Sequence, residues 1–106
     1  IKDLKELATK KNILIFQAHP YRPNLTRENP LYLDGVEIVN GNMRHNSHND
    51  LALDFVLKNR LPFSGGSDCH EIEDVGKSGI ITGERIENSS NLINVLKTND
   101  LEVIQI

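Results

Sequence analysis

The chain has 106 residues, a formal charge of −3, 38% hydrophobic residues and 25% charged residues. That composition allows one compact domain, and with no basic block it carries no footprint for nucleic acid or an anionic membrane surface. No apolar run approaches the roughly 20 residues of a membrane span, and the single cysteine, Cys69, excludes an internal disulfide and points to a reducing compartment, the cytoplasm.

"IKDLKELATKKN" opens the chain with Ile1, Leu4, Leu7 and Ala8 at helical spacing, which predicts an amphipathic helix. It lacks both an initiating methionine and a cap ahead of Ile1, so residues 1–106 are expected to be a single fragment of something longer. "NILIFQA", residues 12–18, predicts a buried strand, and "HPYRPNLTRENP" a set of turns. "DGVEIVN" predicts a second strand from about Gly35 to Val39. "NSHNDLALDFVLKNR" predicts a helix capped by Ser47, with Asp50 completing the box and Leu51, Ala52, Phe55 and Val56 facing inward. "LPFSGG" and "SGIIT" (78–82) predict two more strands. "ENSSNLINVLKTND" predicts a helix capped by Ser89 or Ser90, with Leu92, Ile93 and Leu96 inward, and "LEVIQI" a closing strand.

Strands alternating with helices predict an α/β fold with a largely parallel sheet, or part of an α/β barrel. Five strands and three helices are too few for an eight-unit barrel of roughly 250 residues. The polar residues then acquire a position. His19 follows the first strand, Asn40 the second, and Asp68 with His70 the third. In parallel sheets functional groups gather at the carboxyl ends of strands, so these side chains are expected on one rim.

On extended backbone Asp68 and His70 would share one side, their Cα atoms about 7 Å apart. Both could then reach one zinc-like cation at about 2.0–2.2 Å. Taken singly, the D-x-H reads more readily as a loop facing water than as a ligand pair. His19 alone reads as a hydrogen-bonded loop histidine, and Arg22 either as a phosphate fork or as an exposed loop arginine. Cys69 reads as a small buried side chain, and His45 and His48 as solvated residues at a helix entrance. Glu37, flanked by Val36 and Ile38, is either exposed or buried with a partner.

"AHP" (18–20), "DGVEIVNGN" (34–42), "GGSDCH" (65–70) and "DVGKSGIIT" (74–82) occur in that order. Together they resemble the carboxyl-terminal part of a PHP (polymerase and histidinol phosphatase) domain, over roughly residues 12–82, with 83–106 resembling nothing in particular. The resemblance implies the second half of a distorted seven-stranded barrel, a partial (β/α) barrel. It implies a metal-dependent phosphoesterase using two or three divalent ions, Mn, Zn or Fe. Metal ligation falls to His19, Asp68 and His70 and the catalytic role to Asp68. Arg22 and Asn40 are assigned to binding a small phosphorylated substrate, while Glu37 shapes the pocket.

The family's H-x-H motif is absent, so the amino-terminal half of a parent chain is the expected partner and the isolated chain is expected to be inactive. A homo-oligomer is also expected, because half a barrel exposes apolar edges. Two alternatives stand beside this reading: a non-catalytic PHP-like scaffold or regulatory module, and an amidohydrolase-like metal hydrolase.

Overall fold

A computed structural model describes residues 1–106. The elements in chain order are α1 (Lys2–Lys10), β1 (Phe16–Gln17), β2 (Gly35–Asn40), α2 (Asn49–Asn59), β3 (Phe63–Gly66), β4 (Ser78–Thr82), α3 (Ser89–Thr98) and β5 (Leu101–Gln105). The first three strands form a parallel sheet in the order β1-β2-β3, and β4 and β5 form a separate antiparallel pair. The fold is therefore mixed α/β, parallel only in its first part. The expected direction fails at β5, which runs back along β4 from Ser78 opposite Gln105 to Thr82 opposite Leu101. No helix is long and apolar enough to cross a membrane.

β2 is the middle strand and carries the core. Val36 and Ile38 are buried and meet Ala52 and Val56 of α2, with Leu33 completing the cluster. Removing a valine-sized side chain from water contributes about 1.5–3 kcal/mol, so α2 is held mainly by these contacts. Leu51, expected inward, is more exposed than buried neighbours such as Ala52 because it lies off this stripe. Ile15, Phe55, Phe63 and Val103 pack around the cluster's margin, and Tyr21 meets the Phe55 ring edge-on at 6.1 Å.

Two glycines permit close approach. At Gly35 an added Cβ would stand 2.2 Å from the Phe16 ring, so the aromatic side chain of β1 lies directly over this backbone. At Gly65 it would stand 2.4 Å from Val103 Cγ1 and 3.2 Å from the Val39 carbonyl, which is how β3 nests against β5. The same junction is tied by Ser78, whose Oγ donates to the Ile104 carbonyl at 2.7 Å while Ser67 Oγ donates to the Ser78 carbonyl at 2.8 Å.

Several boundaries differ from the sequence expectation. The strand read over 12–18 pairs only at Phe16 and Gln17, because the Ile15 amide donates to the Asp34 carboxylate instead of to a strand. α1 buries only Ala8. Leu4 and Leu7 lie more than half exposed at 55% and 51%, so the stripe of α1 does not face this core. An ion pair from Lys5 to Asp34 tethers the helix. Ser47 does not cap α2. The cap is His48 in a left-handed conformation with φ of 47°, and Ser47 is buried elsewhere. α3 is capped by Asn88, whose side chain accepts from the Asn91 amide; Val95 is its buried residue, with Ile93 and Leu96 half-buried and Leu92 exposed.

Candidate functional site

Because β1, β2 and β3 run parallel, their carboxyl ends share one edge. His19 lies two residues beyond β1, Asn40 ends β2 and Asp68 lies two residues beyond β3. The edge is built around Arg22, from the turn after His19. Its Nη2 donates to Asp68 Oδ2 at 2.7 Å, Asn40 Oδ1 at 3.2 Å and Ser47 Oγ at 3.2 Å. One guanidinium thus joins three segments that are far apart in sequence. Arg22, Asn40 and Asp68 are brought together.

β2 contributes through an irregularity. In a regular strand Glu37 and Asn40, three apart, would face opposite sides. The register with β3 slips between Glu37 and Val39, so that Glu37 pairs with Ser64 and Val39 already with Gly65. Strand irregularities of this kind re-aim side chains. Here Asn40 Nδ2 donates to Glu37 Oε2 at 3.0 Å, and the His19 amide donates to the same oxygen at 2.8 Å. Glu37 therefore has partners, and they are the site's own backbone and side chains.

Asp68 is not on extended backbone. Its φ is 48°, and that of His19 is 29°. Asp and His tolerate this left-handed region better than most residues, yet such positions still cost of order 1–3 kcal/mol and cluster at functional sites. The turn at Asp68 is fixed by Asn42, whose Nδ2 donates to the Asp68 carbonyl at 3.1 Å. His70 approaches from solvent, with Nε2 3.4 Å from Asp68 Oδ1 and a side chain 67% exposed. The Asp68 carboxyl is held below its usual range, first by the Arg22 hydrogen bond, against the opposing effect of burial, and then by Asn40, the Arg22 charge and His19.

No group of three or more His, Cys, Asp and Glu side chains is gathered as a metal cluster in this conformation. The donor chemistry nonetheless suits a divalent cation, and one donor is unclaimed. His19 Nδ1 is buried without a hydrogen-bond partner, and so is Arg22 Nε. These are the only two such side-chain atoms in the molecule, and both belong to this site. A buried polar atom without a partner is costly, so each marks a place where a partner is wanted.

Asp74 anchors the loop that bears His70. Its Oδ2 accepts from the His70 and Glu71 amides, both at 2.9 Å, and pairs with Arg44. The two backbone hydrogen bonds, opposed by burial and aided by Arg44, bring its carboxyl from the usual 3.8 down to about 2. A depressed carboxylate pKa stabilises the folded state above the unfolded value, and that contribution disappears as pH falls through the folded one. The anchor should therefore be complete above about pH 4 and lost between about pH 4 and pH 2. Melting temperature measured across that range should fall less steeply for Asp74→Asn than for the parent; identical slopes would show that Asp74 carries no such linkage.

Sequence reasoning missed Asn42 and Asp74 and misassigned Ser47. The Glu71–Asp74 spacing was a usable signal, since the two form a reciprocal capping box on the short turn Ile72–Asp74. Cys69, expected to be buried, is exposed, because the left-handed turn at Asp68 rotates it outward. His45 is solvated as expected.

A family model described as PHP-associated matches residues 46–101, more than half of the chain. The chain belongs to the PHP-associated family. The match takes in α2, β3, Asp68, His70, β4 and α3, and reaches the first residue of β5. It extends beyond residue 82, so the segment that resembled nothing in particular is part of the PHP-associated unit after all. His19 and Arg22 precede the matched residues and join the site through the fold. Membership is consistent with a phosphoesterase context. No curated protein and no solved structure matches the chain.

Proposed function

We propose that this edge is the carboxyl-terminal side of a metal-dependent phosphoesterase site, completed by residues of a longer protein. The parallel layer β1-β2-β3 would then be part of a PHP-type barrel. One observation carries the reading: His19 Nδ1 and Arg22 Nε are both buried without partners, and both side chains act on the Asp68 carboxylate. In the neutral tautomer with its proton on Nε2, His19 would offer the Nδ1 lone pair to a cation, and a guanidinium N–H suits an anion. A phosphate ester bound beside a divalent ion satisfies both.

In this reading His19, Asp68 and His70 hold the cation, which supplies Lewis acidity toward a phosphoryl oxygen and acidifies water. Arg22 grips the phosphate with the planar fork that suits its oxygens. Asn40 and Glu37 fix their neighbours: Asn40 receives Arg22, and Glu37 receives Asn40 and the His19 amide. The largely exposed His70 ring stands beside Asp68, with Nε2 3.4 Å from Oδ1, where both could reach the same cation.

The test is hydrolysis of a generic phosphomonoester by the longer protein, with Mn or Zn added, alongside an amide substrate. We expect cleavage of the P–O bond alone, abolished by chelation and restored by metal, and no turnover by the 106-residue chain by itself. Amide cleavage would point to amidohydrolase chemistry. The existing Arg22–Asp68 pair favours a second reading, a non-catalytic scaffold in which the guanidinium permanently replaces the cation. Absence of any hydrolysis with metal present would decide for it.

A further inference from the structure

The Arg22–Asp68 pair sets a condition on what can enter the site. Arg22 Nη2 has two protons and faces three acceptors, Asp68, Asn40 and Ser47, while its buried Nε–H faces none. One corner of the guanidinium is oversubscribed and another is idle. At the same strand edge, His19 Nδ1 is idle as well. Both ionic side chains are mostly covered, with exposures of 16% for Arg22 and 21% for Asp68.

Consider a cation arriving alone. To use Asp68 it must take the carboxylate from Arg22, which leaves a covered guanidinium without a counter-charge and beside a like charge. An anion arriving alone draws Arg22 away and leaves Asp68 facing a second negative group. In either case one ion pair is broken and one charge is stranded, the costly situation for covered ions. When both arrive, one ion pair is exchanged for two, and the two idle nitrogens gain partners.

We infer that Arg22 and Asp68 form a mutual latch that makes a divalent cation and a phosphate anion bind cooperatively, each weakly without the other. The latch rests on the phosphoesterase reading and adds to it a rule of occupancy. It also accounts for the ungathered donors in this conformation, since Arg22 holds the carboxylate they would share. By linkage, the factor by which phosphate strengthens cation binding equals the factor by which the cation strengthens phosphate binding.

The experiment uses the 106-residue chain, Mn as the cation probe and inorganic phosphate as the anion probe, with sodium chloride matching the ionic strength. Paramagnetic broadening of the His19 and Asp68 NMR signals, plotted against free Mn, reports occupancy. Phosphate should lower the half-broadening concentration by about 5- to 150-fold, the usual span of coupling between sites. Arg22→Gln should bind Mn more tightly than the parent when phosphate is absent, and gain little when it is added. Equal Mn binding by the parent with and without phosphate would overturn the latch while leaving a cation site in place. No selective broadening under any condition would overturn the latch, while the cation reading itself is judged by the metal-dependent hydrolysis test on the longer protein. The parent arm is decisive without the variant, so a poorly folded Arg22→Gln does not blunt the test.

Discussion

Asp68→Ala should lower phosphate-ester hydrolysis by the longer protein by on the order of 10³-fold, the rate equivalent of losing several kcal/mol of charge stabilisation. The size follows from how many roles meet in one carboxylate. Asp68 is the residue through which the proposed cation, Arg22 and His70 are connected: Oδ2 accepts from Arg22 and Oδ1 stands 3.4 Å from His70. Its backbone is left-handed, and Asn42 Nδ2 donates to its carbonyl. The substitution also leaves a mostly covered guanidinium with only neutral acceptors, which lowers stability as well. Asp68→Asn separates the two effects, since it keeps volume and an acceptor for Arg22 but loses the charge. Measured kcat/KM should collapse in both variants, and melting temperature should fall further in the alanine. If either variant keeps activity within tenfold of the parent, Asp68 is not the catalytic residue.

Gly65→Ala should be strongly damaging for stability. Its Cβ would enter a space already held by Val103 Cγ1 at 2.4 Å, with the Val39 carbonyl at 3.2 Å and Ser78 Oγ at 3.4 Å. Val103 stands on β5, and the carbonyl belongs to the β2 backbone that pairs with β3, so the second contact cannot be relieved by a side-chain rotation. Overpacking of this kind costs about 1–3 kcal/mol. For a domain of roughly 100 residues each kcal/mol shifts melting by about 4–8 °C, so a loss of roughly 10 °C is expected in a thermal melt. Adding Val103→Ala should return part of that loss by removing the first clash. An unchanged melting temperature in the single variant would mean that β3 and β5 do not approach this closely.

The shared strand edge was legible in the sequence, and the wiring along it was not. His19, Asn40 and Asp68 could be placed on one edge because each follows an apolar run, and the carboxyl ends of parallel strands are a general meeting place. β4 was bounded correctly at 78–82 because "SGIIT" is short, apolar and fenced by turn residues. β1 shrank because apolar character records burial and does not record pairing: Ile15 packs against the core while its amide goes to Asp34. The direction of β5 was hidden for a related reason, since alternation along a strand is the same whichever way its neighbour runs. Ser47 was misread because its local spacing suits a cap, and only the fold reveals that Arg22 claims its hydroxyl. The same holds for Asp74, whose partner Arg44 lies thirty residues away.

The slip in register at Ile38 has one more implication. A six-residue strand must here serve two masters, presenting Val36 and Ile38 to α2 while steering Glu37 toward Asn40. Strict pleating would permit the first duty and forbid the second. A single surplus residue reconciles them, so the polar end of this sheet depends on chain length within β2 as much as on residue type. Deleting one position there would preserve the composition of the strand yet disperse the cluster, and insertions or deletions in β2 should be less tolerated than most of its point substitutions.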